Sequence, residues 1–201
     1  MARAARTRLS PEDRRKQLLI AAIDLFAEKG FGEAKHADIA RRVGVSTAAT
    51  FVYFPTREAL LEAVTQEIER FFLAFFDNMT VEKSGAPAAL RMLAGMSLAV
   101  VDSHLNYVLV RIGWAARFDA DMRGKYRVFE DQVLSKISEI LWASEDNISR
   151  ENRDDARILL SASEALSLMK IDGEPEEKLA RFTDHTIDVV LAYGKHTVSQ
   201  T

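Results

Sequence analysis

Apolar residues recur at three- and four-residue intervals along nearly the whole chain, and that period predicts helices. The first stripe, Leu18, Leu19, Ala22, Leu25 and Phe26, follows Ser10-Pro11-Glu12-Asp13. There Ser is placed to cap a helix, Pro fits its first turn, and two acids lie at the positive end of the helix dipole. Lys29-Gly30 closes it. In the next stretch Ile39 and Val43 lie four apart beside small Ala40, Gly44 breaks the helix, and Val45 turns back to the core. Ser46 is placed to N-cap a second short helix with Thr50 and Tyr53 on its buried side. That period leaves Thr47, Ala48, Phe51 and Val52 facing outward. Phe51 to Phe54 would be a strand by propensity alone, but its neighbours overrule that. Phe54-Pro55 stops the helix, and Thr56 caps a long one reaching Met79, with Leu60, Leu61, Val64, Ile68, Phe71, Phe72, Phe75 and Phe76 on its apolar side.

Beyond a loop at 82–87 the pattern predicts helices at about 87–104, 106–118, 121–143, 151–171 and 175–195. The prolines at 11, 55, 87 and 175 each stand at or beside a predicted helix start. The expected fold is all-α: an N-terminal three-helix domain over residues 1–57, followed by a helical domain over 58–201. Two short helices joined by a three-residue turn containing Gly form a helix-turn-helix, whose second helix fits a DNA major groove. Spacing alone also fits an ordinary helical hairpin in a bundle core.

Charge adds weight to the DNA reading. The chain has net charge −3, yet residues 1–57 hold 11 Lys and Arg against 6 Asp and Glu, or +5, and the remainder 16 against 24, or −8. A basic head on an acidic body points to a polyanion at one end only. Arg6 and Arg8 stand in a segment without apolar period. Such a segment is commonly a solubilising tail; before a helix-turn-helix it suggests a minor-groove contact. Lys35, Thr56, Tyr53 and Arg57 are candidate phosphate contacts. His36, at a helix start, is placed either to reach a phosphate or to hydrogen-bond inside the domain. With Ser46 these complete the candidate DNA-binding set. The outward face, Thr47, Ala48, Phe51 and Val52, has no Arg, Asn or Gln for a bidentate base contact. Contact with thymine methyls, with shape readout of an A·T-rich flank by the arginine arm, fits it better.

The order Ile39-Ala40, Gly44-Val45-Ser46 and Tyr53-Phe54-Pro55-Thr56-Arg57-Glu58-Ala59-Leu60 resembles the TetR family of transcriptional regulators. The strings at Arg6 to Pro11, His36 to Ala40 and Tyr53 to Glu58 are similar to one subgroup, the quorum-sensing master regulators of vibrios. The specific resemblance covers about the first sixty residues. It implies backbone contacts by Tyr53 and Arg57, a ligand cavity in the second domain, and a homodimer closed by the two C-terminal helices on a pseudo-palindromic operator. Val52 departs from the subgroup, which carries Asn there, so no operator sequence is carried over.

For the cavity the candidate lining is Phe72, Phe75, Phe76 and Met96, with Val100, Trp114, Phe129 and Val133; packed core is the plainer role for most of them. The expected ligand is a hydrophobic small molecule, and no charged pair marks its site. For the dimer seam the candidates are Leu159 and Leu166 on one helix, and Leu179, Phe182, Thr186, Val189 and Tyr193 on the last; such stripes also serve as intramolecular core. The absence of cysteine excludes disulfides and thiol chemistry. No apolar run nears the roughly 20 residues that cross a bilayer, the start lacks a signal-peptide core, and a cytoplasmic location is expected. The four His fall into no metalloprotease-type spacing, and there is no GxGxxG, P-loop or GxSxG. No enzyme activity, cofactor or metal is expected. A non-specific architectural DNA-binding protein, or a helical ligand-binding or adapter protein without DNA binding, stands as the alternative.

Overall fold

In the computed structural model, residues 9–77, 85–142 and 153–197 are described. They form α1 (Pro11–Glu33), α2 (His36–Val43), α3 (Thr47–Tyr53), α4 (Arg57–Leu73), a 3-10 turn (Ala74–Phe76), α5 (Gly85–Ser103), α6 (Leu105–Ala115), α7 (Ala120–Trp142), α8 (Asp154–Ile171) and α9 (Glu176–Thr197). No strand occurs among the described residues.

The local signals explain most boundaries. The Ser10 side chain accepts from the Asp13 amide, with Pro11 in the first turn. Gly30 takes φ 76° and ψ 169°, open to Gly but strained for a side-chain-bearing residue, and kinks α1 before one further turn. The predicted long helix up to Met79 is shorter as an α-helix: α4 ends at Leu73 and tightens into the 3-10 turn, while 78–79 lie outside the described residues. α5 and α6 meet at 109° across His104, and no single described helix is long and apolar enough to span a membrane.

One main apolar core runs from end to end of the molecule. Leu18, Ile23 and Phe26 of α1, Ile39 of α2, Leu60 and Ile68 of α4, Trp114 of α6, Leu134 of α7 and Ile187 of α9 belong to the same buried cluster. The basic head is therefore continuous with the acidic body. α1 makes its broadest contact with α6. There Gly113 packs against the Phe31 ring, with room for a Cβ in ordinary contact at 3.5 Å, and Asn106 donates to Asp24 across 2.7 Å. α4, lying between, joins both halves. A second cluster, Val100, Val101 and Val108, is packed against Phe71, Phe75 and Ile171.

Candidate functional site

The helix-turn-helix is built from short-range bonds. Gly44 sits at φ 74°, ψ 40°, and its amide reaches the carbonyls of Ala40 and Arg41. Val45 N–H also donates to the Ala40 carbonyl, 3.0 Å away, which closes α2 and turns the chain. The Ser46 hydroxyl accepts from the Ala49 amide at 3.2 Å and starts α3. Thr56 does the same for α4, from Ala59 at 3.1 Å. Both hydroxyls thus serve as caps. Asp38 accepts from the Lys35 amide and lies 3.5 Å from Lys29 and 3.2 Å from Arg41. Partial desolvation raises its pKa, but the Lys35 amide and the two cations outweigh that and hold the carboxyl below the usual range.

α3 presents the expected face. Thr47, Ala48, Phe51 and Val52 are exposed, Val52 by 77%, while Thr50 is fully buried and Tyr53 half-buried. Lys35 is exposed beside α2. Arg6 and Arg8 lie outside the described residues.

Two candidate phosphate contacts turn inward instead. His36 is buried; its Nε2 is 2.9 Å from the Phe54 carbonyl oxygen, and its ring stacks on Phe51 at 4.3 Å with planes 10° apart. Its ring ties the start of α2 to the end of α3 and is withdrawn from solvent. The Arg57 guanidinium donates to the Ala34 carbonyl at 2.9 Å, to the Phe31 carbonyl and to that of Gly32 at 3.3 Å. It satisfies carbonyls left bare where α1 ends and is spent inside the fold. These contacts span 18 to 26 residues in sequence, so helical period could not reveal them.

A cavity of about 110 Å3 lies within the second half, walled by α4 and its 3-10 turn, α5, α6, α7, α8 and α9. Phe72, Phe75, Phe76, Phe129 and Val133 line it. Met96, Val100 and Trp114 do not. Val100 belongs to the second apolar cluster, and Met96 is half-buried away from the cavity wall. Trp114 stands one layer back: its indole N–H donates to the Met122 carbonyl at 3.0 Å, and its ring stacks on Phe129 at 5.6 Å.

The predicted dimer seam is also largely an inner face. Leu159, Leu166, Phe182 and Thr186 line the cavity, and Leu179 is buried. Of that set Val189 is exposed, by 42%; Tyr193 falls on α9, its side chain outside the described residues. Among the described residues, the large apolar side chains exposed on these helices are Ile158 and Leu168 of α8, together with Val189. The stripe is apolar, and most of it meets the cavity or the core; helical period locates a face and not what covers it.

The cavity wall also holds a charged group. Arg111, 6% exposed, donates from Nη1 to Glu164 Oε1 at 2.6 Å, and the Tyr126 hydroxyl donates to the same oxygen at 3.2 Å. Burial, then the nearby Glu164 charge, push the Tyr126 phenol up to about 12, so it remains a neutral donor. Phe72 lies against the guanidinium face, 5.2 Å from Cζ. The partners stand 53 residues apart; an Arg within the otherwise apolar Val108-Leu109-Val110-Arg111-Ile112 run was the available signal.

Residues 18–64 match the family model described as bacterial regulatory proteins, tetR family. The chain is 46% identical to the HTH-type transcriptional regulator BetI of Klebsiella pneumoniae over 151 residues, 74% of this chain and 77% of that protein. The chain belongs to the TetR family. Its likeness to the HTH-type transcriptional regulator LuxR of Vibrio harveyi, 36% over 117 residues, takes in 58% of this chain and 57% of LuxR, so the alignment spans little more than half of that relative. Among solved structures, FadR of Bacillus subtilis, crystallised with stearoyl-CoA, matches with a TM-score of 0.71 at 16% identity, over 88% of this chain and 97% of FadR. At that identity the match speaks for the fold alone. In this TetR-family chain the helix-turn-helix is α2–α3, and the family-model match ends within α4.

Proposed function

We propose that this TetR-family chain is a sequence-specific DNA-binding regulator that acts as a homodimer on a pseudo-palindromic operator and takes a hydrophobic small molecule in its second-half cavity. The observation that carries the DNA reading is the α3 face: Thr47, Ala48, Phe51 and Val52 stand exposed on a helix fixed at both ends, beside exposed Lys35. A helix so presented fits a major groove. Its side chains favour thymine methyls over hydrogen-bonded base edges. Lys35 and the Arg6–Arg8 arm supply the cations, whereas His36 and Arg57 hold the module's shape.

The dimer reading rests on apolar side chains left exposed on α8 and α9, Ile158 at 51%, Leu168 at 46% and Val189 at 42%. Two such copies present a self-complementary surface. The ligand reading is supported by the lined cavity and by FadR, a fold relative crystallised with stearoyl-CoA. A quorum-sensing role follows from the resemblance of Arg6–Pro11, His36–Ala40 and Tyr53–Glu58 to the vibrio regulators.

Selection of bound sequences from random duplex DNA tests the proposal. The expected product is an inverted repeat with half-sites about one helical turn apart. Enrichment of no sequence, with binding that falls steeply in salt, would replace it with non-specific binding.

A further inference from the structure

The cavity's charged corner says what kind of head group its ligand carries. Arg111 is buried in the cavity wall, and its charge is already answered by Glu164 at 2.6 Å. Glu130, also in the wall, adds a second carboxylate, paired more loosely with Arg157 at 3.4 Å. The guanidinium Nε nevertheless has no acceptor in the protein. Elsewhere in the cavity wall the hydroxyls of Ser163, Ser167 and Thr186 donate to carbonyls of their own helices, and at the corner itself Tyr126 donates to Glu164. Those four groups offer lone pairs but have their hydrogens committed. The corner thus holds a covered, orphaned donor in a place where positive charge is already neutralised. Leaving such a donor unpaired is costly, and a ligand oxygen would remove the cost.

We infer that the cavity binds an uncharged amphipathic molecule, an apolar chain or ring system ending in a neutral carbonyl or ether oxygen that accepts from Arg111. A free carboxylate is the wrong head: it would have to share Arg111 with Glu164 while Glu130 also lines the cavity, and repulsion from these half-buried carboxylates opposes that. The inference rests on the proposed ligand-binding role of the cavity. Nε is fully covered, so access to it requires a covering side chain to move, and the Phe72 ring, 5.2 Å from Cζ, is packed on that guanidinium. Phe72 belongs to α4, the helix that begins at the DNA-binding module. Head-group binding thereby gains a grip on α4.

Isothermal titration of the full chain at pH 7.5 with a methyl ketone and a carboxylate of equal chain length tests this without any variant. The ketone is expected to bind about tenfold more tightly. Glu164→Gln, which leaves the arginine charge unanswered, is expected to reverse the order in favour of the carboxylate, and Arg111→Met to remove the discrimination. Preference of the unmodified protein for the carboxylate overturns the inference while leaving the cavity a ligand site. Binding of neither compound, across chain lengths from six to twelve carbons as roughly the span such a cavity admits, overturns both.

Discussion

Arg57 and Arg111 are both turned into the fold, one in the DNA-binding half and one in the cavity, and they differ in what remains unsatisfied. Arg57 spreads its donors over the three carbonyls of Phe31, Gly32 and Ala34 at the end of α1. Arg111 meets a carboxylate with Nη1 and keeps Nε without an acceptor. The first arrangement is closed, as in a scaffold whose task is to hold α3 at a fixed angle. The second is open, as in a site awaiting a partner. A buried cation is thus no index of function until its donors are accounted for one by one.

The sharpest break in this contrast is Arg57→Ala. Removing these charge-assisted bonds from the carbonyls at the end of α1 is expected to cost about 2 kcal/mol in denaturant unfolding, with DNA binding lost in parallel. Arg57→Lys should recover less than half, since a point charge cannot replace the fork. Unchanged stability with a shallower salt dependence would instead make Arg57 a phosphate contact. Arg111→Met is expected to cost about 2 kcal/mol, because Glu164 loses its counter-charge, and adding Glu164→Leu should bring stability back to within about 1 kcal/mol of the parent. A double variant no more stable than the single one would mean that the pair is structural cement like Arg57.

His36→Ala comes next, at about 1.5 kcal/mol for the lost ring stack and the bond to Phe54. Its signature is a loss of sequence preference, read by the same random-DNA selection, exceeding the loss of overall affinity. Asp38 adds a pH dependence with a definite sign. Its folded pKa is lowered, so its contribution is present above the ordinary aspartate range and disappears as pH falls through the folded value. Acid titration of Asp38→Asn should therefore show a flatter stability curve below about pH 4 than the parent does. Smallest in stability is Val52→Ala, within about 0.5 kcal/mol at so exposed a site. It tests the other side of the contrast, because a change in selected operator bases with unaltered unfolding marks a residue that faces outward for recognition.

Much of this was legible in the residues. Ser10, Gly44, Ser46 and Thr56 punctuate helices by local bonds, and local bonds are encoded within a few positions, whereas Gly30, expected to close α1, only kinks it before a last turn to Glu33. The outward set on α3 followed from period alone, because a short helix with Thr50 buried can expose little else. The cavity side of α4 was legible as too many phenylalanines for a surface helix. Illegible were the side of α8 and α9 that faces inward, the layer in which Trp114 stands, and the ends of the long bonds from His36, Arg57 and Arg111. In each of these cases the deciding neighbour is far away in the chain.

By itself, then, the order of amino acids determined that the chain is helical, where nearly every helix starts and stops, that its first third is cationic, and which four side chains α3 turns outward. These depend on backbone propensity, capping and a 3.6-residue repeat, all of which act over a few residues. Tertiary structure alone decided that α1 is seated on α6, that His36 and Arg57 look inward, and that Arg111 and Glu164 meet beside a cavity with one donor left over. Those outcomes depend on which faces are brought together, and burial turns an ordinary solvated charge into one that must find a partner.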